Sequence, residues 1–266
     1  MAITSDSEAR VIPDQRRERL MRALHREKVL SVHQLTDLLG VSHMTVRRDI
    51  AVLEQEGLAL AVPGGVRLAT HAISEPSRDD KSLLRPEQKS AIAAAAAARV
   101  RDDMVVYLDA GTTIQAMVPL LLERTGLTIV TNDFGIVDAL ARTSIPTIHT
   151  GGRVDHANRS TIGSLGALVL AQLNTDIAFI SASSWSLARG VTTPEPSKVD
   201  VKQAAMRGTA ESVLVADSSK YGSFSVYKAA ELKAFDVIVT DTELSDTAAE
   251  AITGRGIELT LALATL

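Results

Sequence analysis

A few short tracts carry the polar residues best suited to hold a small anionic molecule. Asp109-Ala110-Gly111-Thr112-Thr113 follows an apolar run and opens a helix pattern. Gly111 lets backbone approach a ligand. Thr112 and Thr113 supply hydroxyls and amide N–H groups at a helix N-terminus, which suits a phosphate. The same turn also serves ordinary helix capping. It is not a P-loop, because GxxxxGK[ST] occurs nowhere in the chain. Thr131-Asn132-Asp133, Gly151-Gly152-Arg153 and Asp217-Ser218-Ser219-Lys220 each close a further apolar run, and Lys202 follows the Thr192-Thr193-Pro194 turn. Taken singly, each reads as a cap, a turn or a surface charge. Together they supply carboxylates and amides for hydroxyls, and lysines and backbone N–H groups for phosphate. That set fits a small, polyhydroxylated anion.

A second chemistry sits in residues 31–57. Ser31 and Gln34 form a capping-box pattern ahead of a helix whose apolar face is Leu35, Leu38 and Leu39. Gly40 ends that helix and Ser42 caps the next. Val46, Ile50 and Leu53 turn one stripe of the second helix inward. At ~100° per residue, Met44 and Arg48 fall opposite that stripe and Thr45 and Arg47 on its flanks. A helix buried on one side, with Ser42, His43, Thr45 and two arginines near its start, is what a helix-turn-helix presents to the major groove. Arg47 and Arg48 are expected on phosphates or base edges, and Thr45 on a phosphate or a thymine methyl. His43 and Met44 are candidates for setting sequence preference. Asp49 is expected to form an ion pair with an arginine of the first helix.

The elements that must position these residues follow from patterning. Asp14 to Lys28 is a helical run with Leu20, Ala23 and Leu24 on one face. Leu58–Leu68 reads as a hairpin about Pro63-Gly64-Gly65, placing Arg67 on a wing beside flanking backbone. Residues 1–13 read as a flexible arm, 14–70 as a winged helix-turn-helix, and 71–86 as a linker that Leu83 and Leu84 partly dock. Residues 87–266 read as an α/β domain. There the Ala-rich run SAIAAAAAARV predicts a helix packed closely on a sheet. Strands are predicted at 104–109, 127–132, 146–152, 176–182, 212–219, 235–241 and 257–264, with helical runs between most of them. That alternation argues for a mainly parallel sheet, whose ligands bind beyond the carboxyl ends of the strands.

Composition narrows the function classes. The 266 residues are 45% hydrophobic, with no cysteine and a net charge of −4. Disulfide and thiolate chemistry are excluded, and a reducing cytoplasm fits. No run of ~18 apolar residues is present, so no membrane span is expected, and the first ten residues lack an apolar signal core. Residues 10–28 carry seven basic and three acidic side chains, a local charge of +4, whereas residues 71–266 carry 18 basic and 23 acidic. The positive charge lies where a phosphate backbone would need it.

Arg16, Leu20 and Leu24, followed by Ser42 and the tract Thr45-Val46-Arg47-Arg48-Asp49-Ile50, resemble the signature of the DeoR family of bacterial transcriptional regulators. The resemblance continues through Asp109-x-Gly111-Thr112-Thr113, Thr131-Asn132, Gly151-Gly152, Gly163, Gly190-Val191-Thr192-Thr193, Lys202 and Asp217-x-Ser219-Lys220. It implies an effector domain similar in fold to ribose-5-phosphate isomerase, sensing a phosphorylated sugar or related metabolite. It also implies a repressor of carbohydrate breakdown that binds double-stranded operator DNA as a homo-oligomer, with no cofactor or metal. Where the family commonly carries a Gly-containing turn, this chain has Ser183-Ser184-Trp185-Ser186; Ser183 is counted with the effector residues and Trp185 either covers the effector or packs on a helix. The alternative is an isomerase-like enzyme with a DNA-binding appendix, using Asp176, Glu195 and Lys202 as acid–base groups.

Overall fold

The computed structural model describes residues 12–72 and 75–264. The chain divides between Ala69 and Thr70 into two compact units. Apart from Ile12 and Pro13, the expected N-terminal arm lies outside the described residues.

The first unit contains α1 (Pro13–Glu27), β1 (Val29–Ser31), α2 (Val32–Leu39), α3 (His43–Gln55), β2 (Ala59–Val62) and β3 (Gly65–Leu68). The capping box forms: Gln34 N–H donates to Ser31 Oγ at 3.1 Å and Ser31 N–H to Gln34 Oε1 at 2.8 Å. Gly40 ends α2 in the left-handed region, φ 64°, a conformation that a side chain disfavours. Leu20, Leu24, Leu35, Val46, Ile50, Leu53 and Val66 make one core. Leu38 departs from expectation and is 50% exposed, because it lies at the edge of the stripe that Leu35 and Leu39 bury. The sequence pattern also omitted β1, which pairs antiparallel with β3. A Cβ at Gly65 would lie 2.4 Å from the Leu30 carbonyl oxygen, so only glycine permits that approach.

The second unit opens with β4 (Thr70–His71), α4 (Arg78–Leu83), α5 (Pro86–Ala97), β5 (Val105–Leu108), α6 (Thr112–Gln115), α7 (Val118–Leu121), β6 (Thr128–Thr131) and α8 (Phe134–Leu140). It continues through β7 (Thr147–His149), β8 (Arg153–Asp155), β9 (Ser160–Ile162), α9 (Ser164–Leu170), β10 (Thr175–Ser181), β11 (Ser184–Ser186) and β12 (Gly190–Thr193). Then follow α10 (Ser197–Arg207), β13 (Thr209–Val215), β14 (Ser223–Phe224), β15 (Tyr227–Ala230), β16 (Val237–Asp241), α11 (Asp246–Thr253) and β17 (Glu258–Ala262). Seven strands form one parallel sheet in the order β17-β16-β13-β10-β5-β6-β7. Ile92, Ala93, Ala96 and Ala97 of α5 are buried in the core with Val106, Phe179, Val213 and Val239 of the sheet. Their small side chains let this helix lie close. The helical run expected between the first two predicted strands is instead two short helices, α6 and α7. Pro119 has no N–H for the Gln115 carbonyl, and its ring clashes with that group, so the helix divides there.

Residues 71–86 take in the end of β4, which pairs with β14, and all of α4. Leu83 and Leu84 are 81% and 54% exposed; the docking runs instead through Arg78, which is 5% exposed. Its guanidinium donates to Asp133 Oδ2 at 2.7 Å and Oδ1 at 3.0 Å, and to Gln115 Oε1 at 2.8 Å. Asp133 also accepts the N–H groups of Gly111 at 3.1 Å, Gly135 at 2.7 Å and Ile136 at 3.1 Å. One fully buried carboxylate thus ties the start of the unit to the β5–α6 turn and to α8.

Two substitutions test these ion pairs. Asp49→Ala removes the acceptor that Arg16 reaches at 2.5 and 2.9 Å and should destabilise the first unit by about 2 kcal/mol, read in its calorimetric transition. Arg78→Met leaves the Asp133 charge buried without its cation and should destabilise the second unit by about 3–5 kcal/mol. Unchanged transitions would mean that neither pair supports its unit.

Candidate functional site

The candidate nucleic-acid surface is the start of α3. Ser42 caps it, accepting from the Thr45 N–H at 3.3 Å, and the two hydroxyls lie 3.0 Å apart. His43, Met44, Arg47 and Arg48 are exposed while Val46, Asp49 and Ile50 are buried. The hydrophobic stripe therefore orients the polar one as the spacing predicts. Asp49 faces inward against Arg16, the structural ion pair expected of it. Arg67 lies half-buried on β3, where burial lowers its pKa.

Among the cavities at the carboxyl ends of the parallel strands of the second unit, two are lined by several of the expected residues. The smaller, about 20 Å³, is lined by Asp109, Asn132, Ser183 and Lys202 among the expected residues. Lys202 Nζ donates to Asp109 Oδ2 and, at 2.7 Å, to the Ser181 carbonyl. Asn132 Oδ1 accepts from the Ala110 N–H at 3.0 Å and from the Tyr107 hydroxyl at 3.1 Å. Burial and the neighbouring Asp109 push the Tyr107 pKa well above its usual range, so this hydroxyl keeps its proton. The larger cavity, about 330 Å³, is lined by Thr112, Ser183, Asp217 and Lys220 among the expected residues.

The remaining expected residues do not line these two cavities. Thr113 is buried. Thr131 is fully buried and donates to the Leu108 carbonyl. Gly111 gives its N–H to Asp133. A Cβ at Gly152 would meet the Ile162 carbonyl at 3.0 Å, so that glycine serves backbone packing beside Gly151. Arg153 is exposed and bonds Glu195 and Ser197 at 2.9 Å each. Trp185 is fully buried, donates to the Asp217 carbonyl at 3.3 Å and packs edge-on against Tyr221, in keeping with the packing alternative. The acid–base set does not assemble either. Asp176 accepts the Val105 N–H at the opposite, amino ends of the strands, and Glu195 is bound to Arg153.

Sequence reasoning missed most of the cations. Lys81, Arg85 and Lys89 line the larger cavity, with Glu75 and Asp217 the acids among its lining residues. Arg85 holds a left-handed φ of 53°, uncommon for a residue with a side chain, and its guanidinium reaches Glu243 at 2.7 Å and Asp241 at 3.5 Å. Lys89 is 7% exposed; its ammonium donates to the Lys81 carbonyl and pairs with no carboxylate among the described residues. Burial, then the positive charge of Lys220, lowers its pKa. One signal was available: Lys89 is the only charged residue between Glu87 and Arg99, just ahead of the Ala-rich run.

Comparison with known proteins agrees with both units. Residues 16–72 match the DeoR-like helix-turn-helix domain, and residues 84–242 match the DeoR C-terminal sensor domain. An HTH-type transcriptional regulator of Haemophilus influenzae is 41% identical over 255 residues, 96% of this chain and 99% of that one. The regulator YgbI of Escherichia coli K12 is 43% identical, covering 95% of this chain and 99% of its own length. The transcriptional repressor AccR of Agrobacterium fabrum is 30% identical, covering 85% and 89%. A ribose-5-phosphate isomerase A from Methanocaldococcus jannaschii aligns over 51% of this chain and 54% of its own, at TM-score 0.38 and 19% identity, a likeness too remote to bear on function. The full-length relatives are regulators rather than enzymes, and this chain belongs with them to the DeoR family of HTH-type transcriptional regulators.

Proposed function

We propose that the protein represses genes of carbohydrate breakdown in the cytoplasm, and that a phosphorylated sugar or related metabolite bound in the second unit weakens its hold on operator DNA. The observation that carries this reading is the buried, carboxylate-free ammonium of Lys89 beside Lys81, Arg85 and Lys220 in a cavity of about 330 Å³. A buried ammonium that no carboxylate contacts favours an added anion. The volume is that of a small-molecule site. Asp217, Ser219 and Ser223 on the same walls offer hydrogen bonds to hydroxyls.

Release requires that the ligand bind the DNA-incompetent state more tightly. A coupling of about 1–3 kcal/mol is typical of such switches. A single winged helix reads few base pairs, so a homo-oligomer, a dimer at least, would double the contact through paired half-sites. Among the described residues no helix is long and apolar enough to cross a membrane.

Fluorescence anisotropy of DNA from upstream of the protein's own gene tests the reading. One phosphorylated sugar, and not its unphosphorylated form, should release the fragment. Binding indifferent to every compound would remove the sensing role. Arg47→Ala and Arg48→Ala should each weaken operator binding, and each lost phosphate contact should lower the salt slope by about 1. Lys89→Met or Lys220→Met should raise the releasing concentration at least tenfold, about 1.4 kcal/mol, with DNA affinity unchanged. Loss of DNA binding in those variants would make the lysines structural.

A further inference from the structure

Glu75 occupies a position suited to a ligand's anionic group. Its Oε1 accepts from Lys81 Nζ at 2.9 Å and its Oε2 from Lys198 Nζ at 2.7 Å. The lysines belong to α4 and α10, and their side chains are 13% and 11% exposed, against 19% for Glu75. Lys81 also donates to Asn158 Oδ1 at 2.6 Å, and Lys198 lies 3.4 Å from Asp155. Glu75 lines both the small and the large cavity, as does Ser183. Burial opposes the Glu75 charge, but Lys198 and Lys81 hold its pKa far below the usual carboxylate range. Burial likewise opposes the Lys198 charge, and Glu75 more than offsets it. The carboxylate is thus the counter-ion of two ammonium groups that have little access to water.

We propose that Lys81 and Lys198 form the subsite for the effector's anionic group, that Glu75 fills it as an internal counter-anion, and that the effector enters by expelling the Glu75 carboxylate. The inference rests on the sensing role proposed for this cavity. The exchange leaves both lysines neutralised throughout, so no bare buried charge forms. A phosphate monoester carries close to two negative charges and three acceptor oxygens, whereas Glu75 offers one charge and two oxygens. A phosphorylated ligand therefore has the advantage that a plain carboxylic acid lacks. The tether matters as well, because a carboxylate held in place competes at an effective concentration of order millimolar. Glu75 lies six residues beyond Ala69, where the first unit ends. The group displaced is thus on the segment that leads from the DNA-binding unit, which gives the ligand a differential contact between two states.

The test is calorimetric titration of the full-length protein with inorganic phosphate. Glu75→Gln removes the competing charge at constant shape and should bind phosphate at least tenfold more tightly than the wild type. Adding Lys198→Gln should abolish that gain. Equal or weaker binding by a Glu75→Gln protein with an intact thermal transition would overturn the proposal, as would a gain that survives Lys198→Gln. Should Glu75→Gln lose its transition, Lys198→Gln alone decides: loss of phosphate binding supports the subsite and wild-type affinity overturns it. Operator release by sugar phosphates separates the two readings. Release without the Glu75→Gln gain removes the subsite and keeps the sensor. The gain without release keeps the subsite and removes the sensor.

Discussion

The carboxylate of Asp133 is fully buried, and a buried charge persists only when partners replace the water it has lost. Its partners are the Arg78 guanidinium and the N–H groups of Gly111, Gly135 and Ile136. Those four come from α4, the β5–α6 turn and α8, so one electrostatic requirement fixes three walls of the second unit together. Asp109 plays the same part across the sheet, taking Lys202 and the Ser181 hydroxyl and N–H. Both carboxylates are held by partners within the second unit, and Asp109 also lines the smaller cavity. Of the cations lining the larger cavity, Lys81, Arg85 and Lys220 have carboxylate partners, and Lys89 is left without one among the described residues.

In the first unit the governing effect is hydrophobic burial, and charge follows it. Val46, Ile50 and Leu53 must face Leu20, Leu24 and Leu35, which leaves Arg47 and Arg48 no orientation but outward. Asp49 turns inward on the same helix because Arg16 meets it there. The division of α3 into a buried and a presented face requires no DNA to hold it.

Much of this architecture was legible in the sequence. Caps at Ser31 and Ser42, the stop at Gly40 and the Pro63-Gly64 turn are local features, determined by residues within a few positions of one another. The seven parallel strands were legible as apolar runs because both faces of the sheet are covered, and their observed bounds differ from expectation by at most four residues. What failed was non-local. The strand β1 exists because Gly65 admits it, and the mixed-charge tract before α5 resembled a solvated linker until Arg78 met a partner 55 positions away. Glu75 and Lys198 are 123 positions apart, and no pattern along the chain announces such a pair. Trp185 shows the same limit: a lone tryptophan near polar turns reads equally as a ligand cover or as packing, and only the fold shows its indole N–H satisfied by the Asp217 carbonyl.

The proposed switch rests on a cation-rich cavity whose counter-ions include Glu75, six residues beyond the end of the first unit. Amide hydrogen exchange of the full-length protein, with and without a sugar phosphate that releases operator DNA, tests that claim most directly. The ligand should alter exchange across residues 75–89 and 217–220 while leaving residues 151–153 unchanged. A releasing ligand that changes exchange only around residues 151–153, or nowhere in the second unit, would contradict it.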